Sequence, residues 1–206
     1  MDSKCKICRR AGEKLFLKGD RCFTPKCAVV RKPYPPGIHT RVSKRGLSEF
    51  GLQLREKQKL RHAYHLREQQ FKNYVSAAMK TKGKDAGATL LELLARRLDN
   101  VVFQAGFVPS RSMARQMISH GHVYVNGERI RTSSYLVGIG NVVSLSEKIR
   151  NSPEMQNFDQ SLKKYKPPTW ISSTPSHEAT ISSFPSEEDR TNTHNTKLII
   201  EYYARV

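Results

Sequence analysis

Segment 96–145 constrains the fold most strongly, because its residue pattern changes from helical to strand spacing within one short stretch. Apolar residues at helical spacing over 94–105 predict one helix face. Ser110 follows a proline and can cap a second helix. Val123–Val125 alternates as a strand, and the dipeptide Asn126-Gly127 is a strong β-hairpin signal. The segment therefore predicts two helices followed by strands, an α+β arrangement.

The second of these helices combines an apolar face with basic and hydrogen-bonding side chains. The residues expected to point inward are Met113, Ala114, Met117 and Ile118. Those expected outward or beside this face are Arg111, Arg115, Gln116 and His120. Phosphates bind cationic groups and exposed base edges bind amide or imidazole groups, so such a helix suits RNA. A generic scaffold with surface arginines fits the same pattern about equally well.

Charge is concentrated in the first part of the chain. The whole chain has 206 residues and a formal net charge of +18, which predicts a polyanionic partner. Residues 1–84 carry 22 Lys and Arg against 6 Asp and Glu, whereas residues 85–206 carry 14 against 12. The N-terminal part therefore predicts a second polyanion-binding surface, apart from the segment described above.

All four cysteines lie near the N-terminus as Cys5-x2-Cys8-x13-Cys22-x4-Cys27. Two close pairs joined by a short loop favour a tetrahedral metal site, and the surrounding lysines and arginines would favour thiolates. Disulfides and free thiols are the alternatives, but disulfides belong to exported chains. Structural zinc is the favoured interpretation, with an iron–sulfur cluster as the less favoured one.

Two basic amphipathic helices are predicted after an extended proline-rich segment, 32–37. The first is capped at Ser48, with an apolar side at Phe50, Leu54 and Tyr64. The second shows Phe71, Tyr74, Val75, Ala78 and Met79 at helical spacing. Their cationic side chains are interpreted as phosphate contacts, although a solvated face is the alternative.

The remaining segments predict connections and a docked terminus. Residues 80–88 predict a flexible basic hinge, and Thr89 with Glu92 predicts a capping box that opens a helix running to about 103. Trp170 is expected to anchor the tail, and 172–196 is expected to be loop or partly ordered. Residues 198–205 are too apolar to be free and are expected to dock on the N-terminal helices.

From the sequence, we do not expect a membrane-spanning, exported or catalytic protein. No apolar run approaches the roughly 20 residues that span a bilayer, and the N-terminus has no hydrophobic signal core, so a soluble cytoplasmic chain is expected. Arg97-Leu98-Asp99 resembles the catalytic triplet of pseudouridine synthases, but it lies within a predicted helix and lacks their separate catalytic domain. Asp99 is therefore expected to be a helix-surface partner of an arginine or a cap, and no enzyme is predicted.

Several stretches resemble one family. RRLDNVVFQAGF and SMARQMISHGHVYVNG resemble the RNA-binding module named after bacterial small-subunit ribosomal protein S-four. The cysteine spacing, FGLQLREKQKLRHAYHLREQQFKNYV and the terminal LIIEYYAR are similar to the same family in the same order. One departure is Gly140-Asn141, where the family usually has Gly-Asp. The chain is identified as a member of this family in its four-cysteine form.

The resemblance implies a structural constituent of the small ribosomal subunit. It implies a primary binder of the 16S rRNA 5′ domain that nucleates assembly, lies where mRNA enters the subunit beside proteins S-three and S-five, and influences decoding accuracy. No membrane partner or homo-oligomer is expected. The alternatives are a zinc-knuckle nucleic-acid-binding regulator and the RNA-binding module of an RNA-modifying enzyme.

The expected organisation has four parts: a metal knuckle with a basic extended segment (1–44), a helical rRNA-binding domain (45–92), a small α/β RNA-binding module (93–166) and a tail that docks back (167–206). The predicted metal ligands are Cys5, Cys8, Cys22 and Cys27. The predicted RNA-binding residues are Arg9, Arg10, Lys44, Arg45, Arg55, Lys57, Gln58, Lys59, Arg61, Arg67, Lys72, Arg96, Arg111, Ser112, Arg115, Gln116, His120, His122 and Asn126.

Overall fold

A computed structural model describes residues 3–37, 46–152, 165–174, 177–186 and 194–205. The chain forms two compact units. Unit 1 comprises Met1–Leu90 with Asn192–Val206, and unit 2 comprises Leu91–Thr191. Unit 1 is helical in its described part, and unit 2 combines helices with an antiparallel sheet. The prediction of an α+β protein is confirmed.

Unit 1 is built from helices of very different length. They are α1 (Ser3–Ala11), a 3-10 turn (Gly19–Cys22), α2 (Ala28–Arg31), α3 (Glu49–Ala63), α4 (Glu68–Lys80) and α9 (Thr196–Ala204). Ser48 caps α3 as predicted, since its Oγ accepts a hydrogen bond from the Gly51 backbone N–H at 3.2 Å. Helix α1 carries Cys5 and Cys8, a placement that the cysteine spacing did not reveal.

The core of unit 1 forms where α9 lies across α3 and α4. Leu60, Phe71 and Ile199 are completely buried, and Phe71 packs its ring against Tyr203 at 6.1 Å between centroids. Phe50, predicted for the apolar side of α3, is instead 53% exposed and meets the Tyr202 ring at 5.6 Å. The apolar terminal segment is thus a helix that closes over α3 and α4.

Helix α5 (Ala86–Ala95) begins earlier than the predicted capping box. Asp85 is the capping side chain, because its Oδ2 accepts from the Ala88 backbone N–H at 2.7 Å. Thr89 lies inside the helix, where its hydroxyl donates to the Asp85 carbonyl at 2.9 Å. The prediction of a capping box at Thr89 and Glu92 is therefore wrong, because an acidic residue one turn earlier already satisfies the free N–H groups.

The predicted helix over 89–103 is interrupted at Arg97, so α6 (Leu98–Gln104) is a separate helix. Arg97 forms an isolated antiparallel bridge with Leu136, and the Leu98 backbone N–H donates to the Tyr135 carbonyl at 2.8 Å. These hydrogen bonds to a distant segment replace helical ones, which is why local periodicity missed the break.

Unit 2 places α7 (Arg111–Ser119) beside α6, followed by a five-stranded sheet in the order β2-β1-β3-β5-β4. The strands are β1 (Val123–Val125), β2 (Glu128–Ile130), β3 (Val142–Leu145), β4 (Ile171–Thr174) and β5 (Glu178–Ile181), with α8 (Glu147–Arg150) after β3. Asn126 and Gly127 have φ of 51° and 82°, as a type I′ hairpin requires. Ser110 caps α7 by accepting from the Met113 N–H, so both local predictions are confirmed.

The core of unit 2 includes the residue that was predicted to anchor the tail. Trp170 is 1% exposed and packs with Ile171, Ala179 and Ile181 against the helices and strands of the module. Residues 172–196 were expected to be loop or partly ordered; within this range the structure has strand residues at 172–174 and 178–181, so a loop there is wrong. Apolar residues alternate with Ser, Thr and Glu there, and β5 pairs with β3 far back in the chain. In the described ranges, no helix is both long and apolar enough to cross a bilayer.

Candidate RNA interface

A buried ion-pair network fixes the face of unit 2 on which α6 and α7 meet. The Asp99 carboxylate accepts from Arg97 Nε at 3.1 Å, from Arg97 Nη2 at 2.7 Å and from Arg115 Nη2 at 2.7 Å. Asp99 and Arg97 side chains are 2% and 0% exposed, whereas the Arg115 side chain is 33% exposed. The prediction of an arginine partner for Asp99 is confirmed, but its expected place on the helix surface is wrong.

The next residue of α6 holds the other arginine of α7. Asn100 is buried, and its Oδ1 accepts from Arg111 Nε at 2.8 Å. Its amide group donates to the Ala95 carbonyl and to Gln104 Oε1 at 2.8 and 2.9 Å. The Arg111 guanidinium also lies over the Phe103 ring at 4.7 Å. Arg111 and Arg115, one turn apart on α7, are thus both oriented by α6.

Of the other predicted residues of unit 2, Ser112 lies in the first turn of α7, whereas Gln116, His120 and His122 lie toward its C-terminal end. Gln116 and His120 are exposed, Ser112 is half-buried, and the His120 and His122 rings lie 6.2 Å apart. Burial lowers the pKa of His122, and the charges of His120 and Arg129 act in the same direction. The imidazole of His122 is therefore neutral near pH 7.

Two predicted RNA contacts of unit 2 are engaged in hydrogen bonds of the fold. Asn126 is exposed, but its Oδ1 accepts from the Val142 N–H at 2.8 Å and ties the hairpin to β3. Arg96 Nε donates to the Val137 carbonyl at 3.1 Å, and its guanidinium lies over the Phe184 ring at 4.4 Å. Asn141, the departure from the family pattern, still closes its turn by accepting from the Gly138 N–H at 2.8 Å.

Unit 1 contains a large open groove between α1, the proline-rich segment and α3. Its volume is about 1020 Å³. The basic and hydrogen-bonding residues that line it include Lys6, Arg10, Arg55, Gln58, Lys59 and His62. Arg10 and Lys6 are exposed, and Arg55 donates to the Ala11 carbonyl through Nη2 at 2.6 Å. The cationic lining of the groove matches phosphates in charge.

Two of the predicted RNA-binding residues of unit 1 are buried and act within the fold. Arg9 is 6% exposed, and its Nε and Nη2 donate to backbone carbonyls of Lys32, Tyr34 and Pro35, which pins the proline-rich segment against α1. Lys57 is 4% exposed and donates to Glu68 Oε1 at 2.6 Å. Because both side chains are buried, the prediction that they contact phosphates directly is wrong.

Other predicted cations of unit 1 divide into ion-paired and exposed residues. Lys59 pairs with Glu56 at 2.7 Å and with Glu13 at 3.1 Å, and Arg61 pairs with Glu68 at 3.4 Å. Arg67, at the N-terminus of α4, and Lys72, within α4, are both exposed. Lys44 and Arg45 lie outside the described residues.

Some groove residues were not among the sequence-based candidates. Lys6 lies one turn before Arg10 on α1, and this helix was not predicted. His62 lies on α3 at the groove, where burial and the neighbouring Arg61 lower its pKa, so its ring is neutral near pH 7. A helical reading of 3–11 would have placed Lys6 and Arg10 on one face.

The four cysteines line one small cavity of about 20 Å³ in unit 1, and all four thiols are free. Burial raises the pKa of the Cys8 and Cys22 thiols above the usual 9.0, and the neighbouring thiols act in the same direction. Burial thus outweighs the nearby lysines, which were expected to favour thiolates. Within the part of the chain that the structure describes, no group of three or more His, Cys, Asp or Glu side chains is arranged to hold a metal ion.

Comparisons with known proteins identify both units. The family model described as "Ribosomal protein S4/S9 N-terminal domain" matches residues 1–95, and the model described as "S4 domain" matches residues 96–143. Fold and matches together define a ribosomal protein that carries an S4 domain. "Small ribosomal subunit protein uS4" of Syntrophomonas wolfei is 43% identical over 205 residues, covering 99% of this chain and 98% of the relative. The protein of the same name from Desulfitobacterium hafniense is 46% identical over 202 residues, covering 98% and 96%. The chain therefore belongs to the small ribosomal subunit protein uS4 family, which confirms the resemblance to the S-four family.

Proposed function

We propose that the chain binds 16S rRNA directly in the 5′ domain, as a primary binder whose attachment promotes assembly of the small subunit. The observation that carries this proposal is the presence of a cationic surface in each unit. Unit 1 offers the groove lined by Arg10 and Arg55, and unit 2 offers the α7 face with Arg111 and Arg115. Two such surfaces on one chain suit a folded RNA that presents several helices, because shape and backbone contacts dominate recognition of structured RNA.

We also propose where the chain lies within the small subunit. The chain would lie near the path by which mRNA enters the subunit, beside ribosomal proteins S-three and S-five, and would influence decoding accuracy. Family membership supports this placement. Co-sedimentation of the tagged chain with small subunits, together with cross-linking to its neighbours, tests it. Cross-links only to proteins of the large subunit would refute it.

Direct rRNA binding is tested by titrating the whole chain against the folded 5′ domain at several salt concentrations. Affinity should fall steeply with salt, because each phosphate contact releases counterions. Arg10→Ala should weaken binding and reduce the slope of log affinity against log salt by about 1. Arg205→Ala is the matched control, because Arg205 is also exposed in unit 1 but pairs with Glu49 at 2.6 Å. An unchanged slope for Arg10→Ala would refute the groove assignment.

Competition with duplex DNA separates this proposal from a DNA-binding regulator. Folded rRNA should displace the chain from labelled 5′ domain at far lower concentration than duplex DNA of equal length. Equal competition would overturn the proposal in favour of a regulator. The alternative of an RNA-modifying enzyme is disfavoured by Asp99, because its carboxylate is 2% exposed and bonded to two guanidinium groups.

We also propose that the four cysteines bind one structural zinc ion. The donor chemistry fits, because four thiols face one cavity in a cationic segment. The spacing of the described side chains does not yet form a metal-binding group, so the proposal requires the sulfurs to draw together. Elemental analysis of the purified chain should give one zinc per chain, and Cys8→Ser should abolish it. Iron with inorganic sulfide would instead indicate a cluster, and absence of both would refute the proposal.

A further inference from the structure

We propose that Phe16 and Phe23 form a stacking platform for an unpaired nucleobase of the bound RNA, a site separate from the groove and from the α7 face. This inference rests on the proposed rRNA binding and adds a named contact to it. The two rings lie 5.0 Å apart between centroids with an interplanar angle of 29°, so they are stacked on each other. Phe16 is 38% exposed and Phe23 is 70% exposed. The Phe23 ring in particular presents a large π surface to solvent.

The local backbone holds Phe16 out of the core. Its neighbours Leu15 and Leu17 are 4% and 3% exposed and pack with Cys8 and Ala11. Phe16 itself has a φ of +50°, a conformation that is uncommon for a residue with a side chain and costs of order 1 kcal/mol or more. The leucines face inward while the strained residue between them faces outward. This arrangement keeps an apolar ring at the surface, where burial would otherwise have been favourable.

The charge around the pair indicates which partner covers it. Residues 14–32 carry six Lys and Arg, and Asp20 is their single acid. Lys14, Arg21 and Lys26 are exposed close in sequence to the two rings. Aromatic faces among cationic side chains are the recurring platform for single-stranded nucleic acid, because bases stack on the rings while cations meet the phosphates. An apolar protein partner would be poorly matched to so many positive charges.

The experiment measures affinity of the whole chain for the folded 16S 5′ domain at one fixed salt concentration. Phe23→Ala should weaken binding about tenfold, which corresponds to about 1.4 kcal/mol and lies within the usual effect of one stacked base. Phe23→Leu should weaken it similarly, because it keeps apolar area but loses the π face, whereas Phe23→Trp should retain affinity. The salt slope should stay unchanged in all three, since no phosphate contact is lost. Val30→Ala is the matched control, because Val30 is 53% exposed in the same unit.

The outcomes separate this inference from the proposed function. Failure of the unchanged chain to bind the rRNA would refute the function. Normal binding by Phe23→Ala would overturn the platform alone, and full affinity of Phe23→Leu would overturn it too, because apolar area without an aromatic face would then suffice. In addition, the indole introduced by Phe23→Trp should be quenched by unstructured RNA and much less by a duplex of the same composition. Equal quenching by both would also overturn the platform, because paired bases in a duplex are already stacked.

Discussion

Asp99→Asn should destabilise unit 2 by about 3–5 kcal/mol, the usual cost of removing one partner of a buried ion pair. Asparagine has nearly the shape of aspartate, so packing around α6 is preserved. The change replaces a charged acceptor by an amide whose NH2 group would face the donors of Arg97, which is 0% exposed. The carboxylate now held at 2.7 Å from the Arg97 Nη2 atom would be lost.

The matched variant is Arg115→Gln, which removes the exposed end of the same network. The Arg115 side chain is 33% exposed, and Asp99 keeps its two hydrogen bonds from Arg97 in this variant. Solvent screening reduces the value of such a pair, so the expected loss is below about 1 kcal/mol. The two variants therefore separate the buried half of the network from its solvent-facing half.

Trp170 provides a direct assay, because it is the sole tryptophan and is buried in the core of unit 2. Urea unfolding followed by its fluorescence should show the midpoint of Asp99→Asn lowered by about 2–3 M, given a slope of about 1.5 kcal/mol per M. Arg115→Gln should shift it by less than about 0.7 M on the same scale. If the two variants lose the same small amount of stability, the assignment of Asp99 as the counter-charge of buried Arg97 is refuted.

Two further variants test unit 1 and the end of α7. Burial alone would raise the pKa of Glu68, but hydrogen bonds from Lys57 and Tyr203 lower this pKa below the usual 4.5. The ionised Glu68 side chain therefore stabilises the fold above pH 4.5. This stabilisation is lost as the pH falls through the lower folded-state pKa. Glu68→Gln should therefore lower the thermal stability of the helices at pH 6 and have less effect at acid pH, as circular dichroism melts would show; an equal loss at both pH values would contradict this. Gly121→Ala should cost about 1–2 kcal/mol, because alanine rarely adopts φ of +74° and its Cβ would collide with the Arg129 guanidinium. An unchanged urea midpoint for Gly121→Ala would contradict that reasoning.

Features that depend on a few neighbouring residues could be predicted from the sequence. Ser48 and Ser110 each follow an irregular segment and precede a helix, so their caps could be recognised. Asn126-Gly127 has the left-handed preference that a two-residue hairpin needs. In both caps, the side chain that satisfies the backbone lies within three residues of the group it satisfies.

Features that depend on distant segments could not be predicted in this way. The break at Arg97 is caused by backbone hydrogen bonds to 135–136, and β5 becomes a strand because it pairs with β3. Likewise, Lys57 belongs to a basic run that suggested phosphate binding. Its ammonium group instead lies 4.7 Å from the Tyr202 ring centroid on α9, which begins far along the chain. Charge composition therefore predicted a polyanionic partner, but it overestimated the number of cationic side chains that can contact that partner.

Arg111 and Arg115 differ from the exposed lysines of unit 1 because α6 orients them before any RNA is present. Asn100 accepts from Arg111 at 2.8 Å, and Asp99 accepts from Arg115 at 2.7 Å. A free arginine side chain carries about 2 kcal/mol of rotamer entropy, part of which is lost on binding. In the folded module, the hydrogen bonds to Asn100 and Asp99 already order the Arg111 and Arg115 side chains. Arg115→Lys would keep the charge but lose the planar group that can contact Asp99 and a phosphate together. It should weaken binding to the folded 5′ domain several-fold with the salt slope unchanged, whereas Arg115→Ala should also reduce the slope by about 1. If Arg115→Lys binds as tightly as the unchanged chain, charge alone suffices at this position and its orientation by Asp99 contributes nothing to RNA binding.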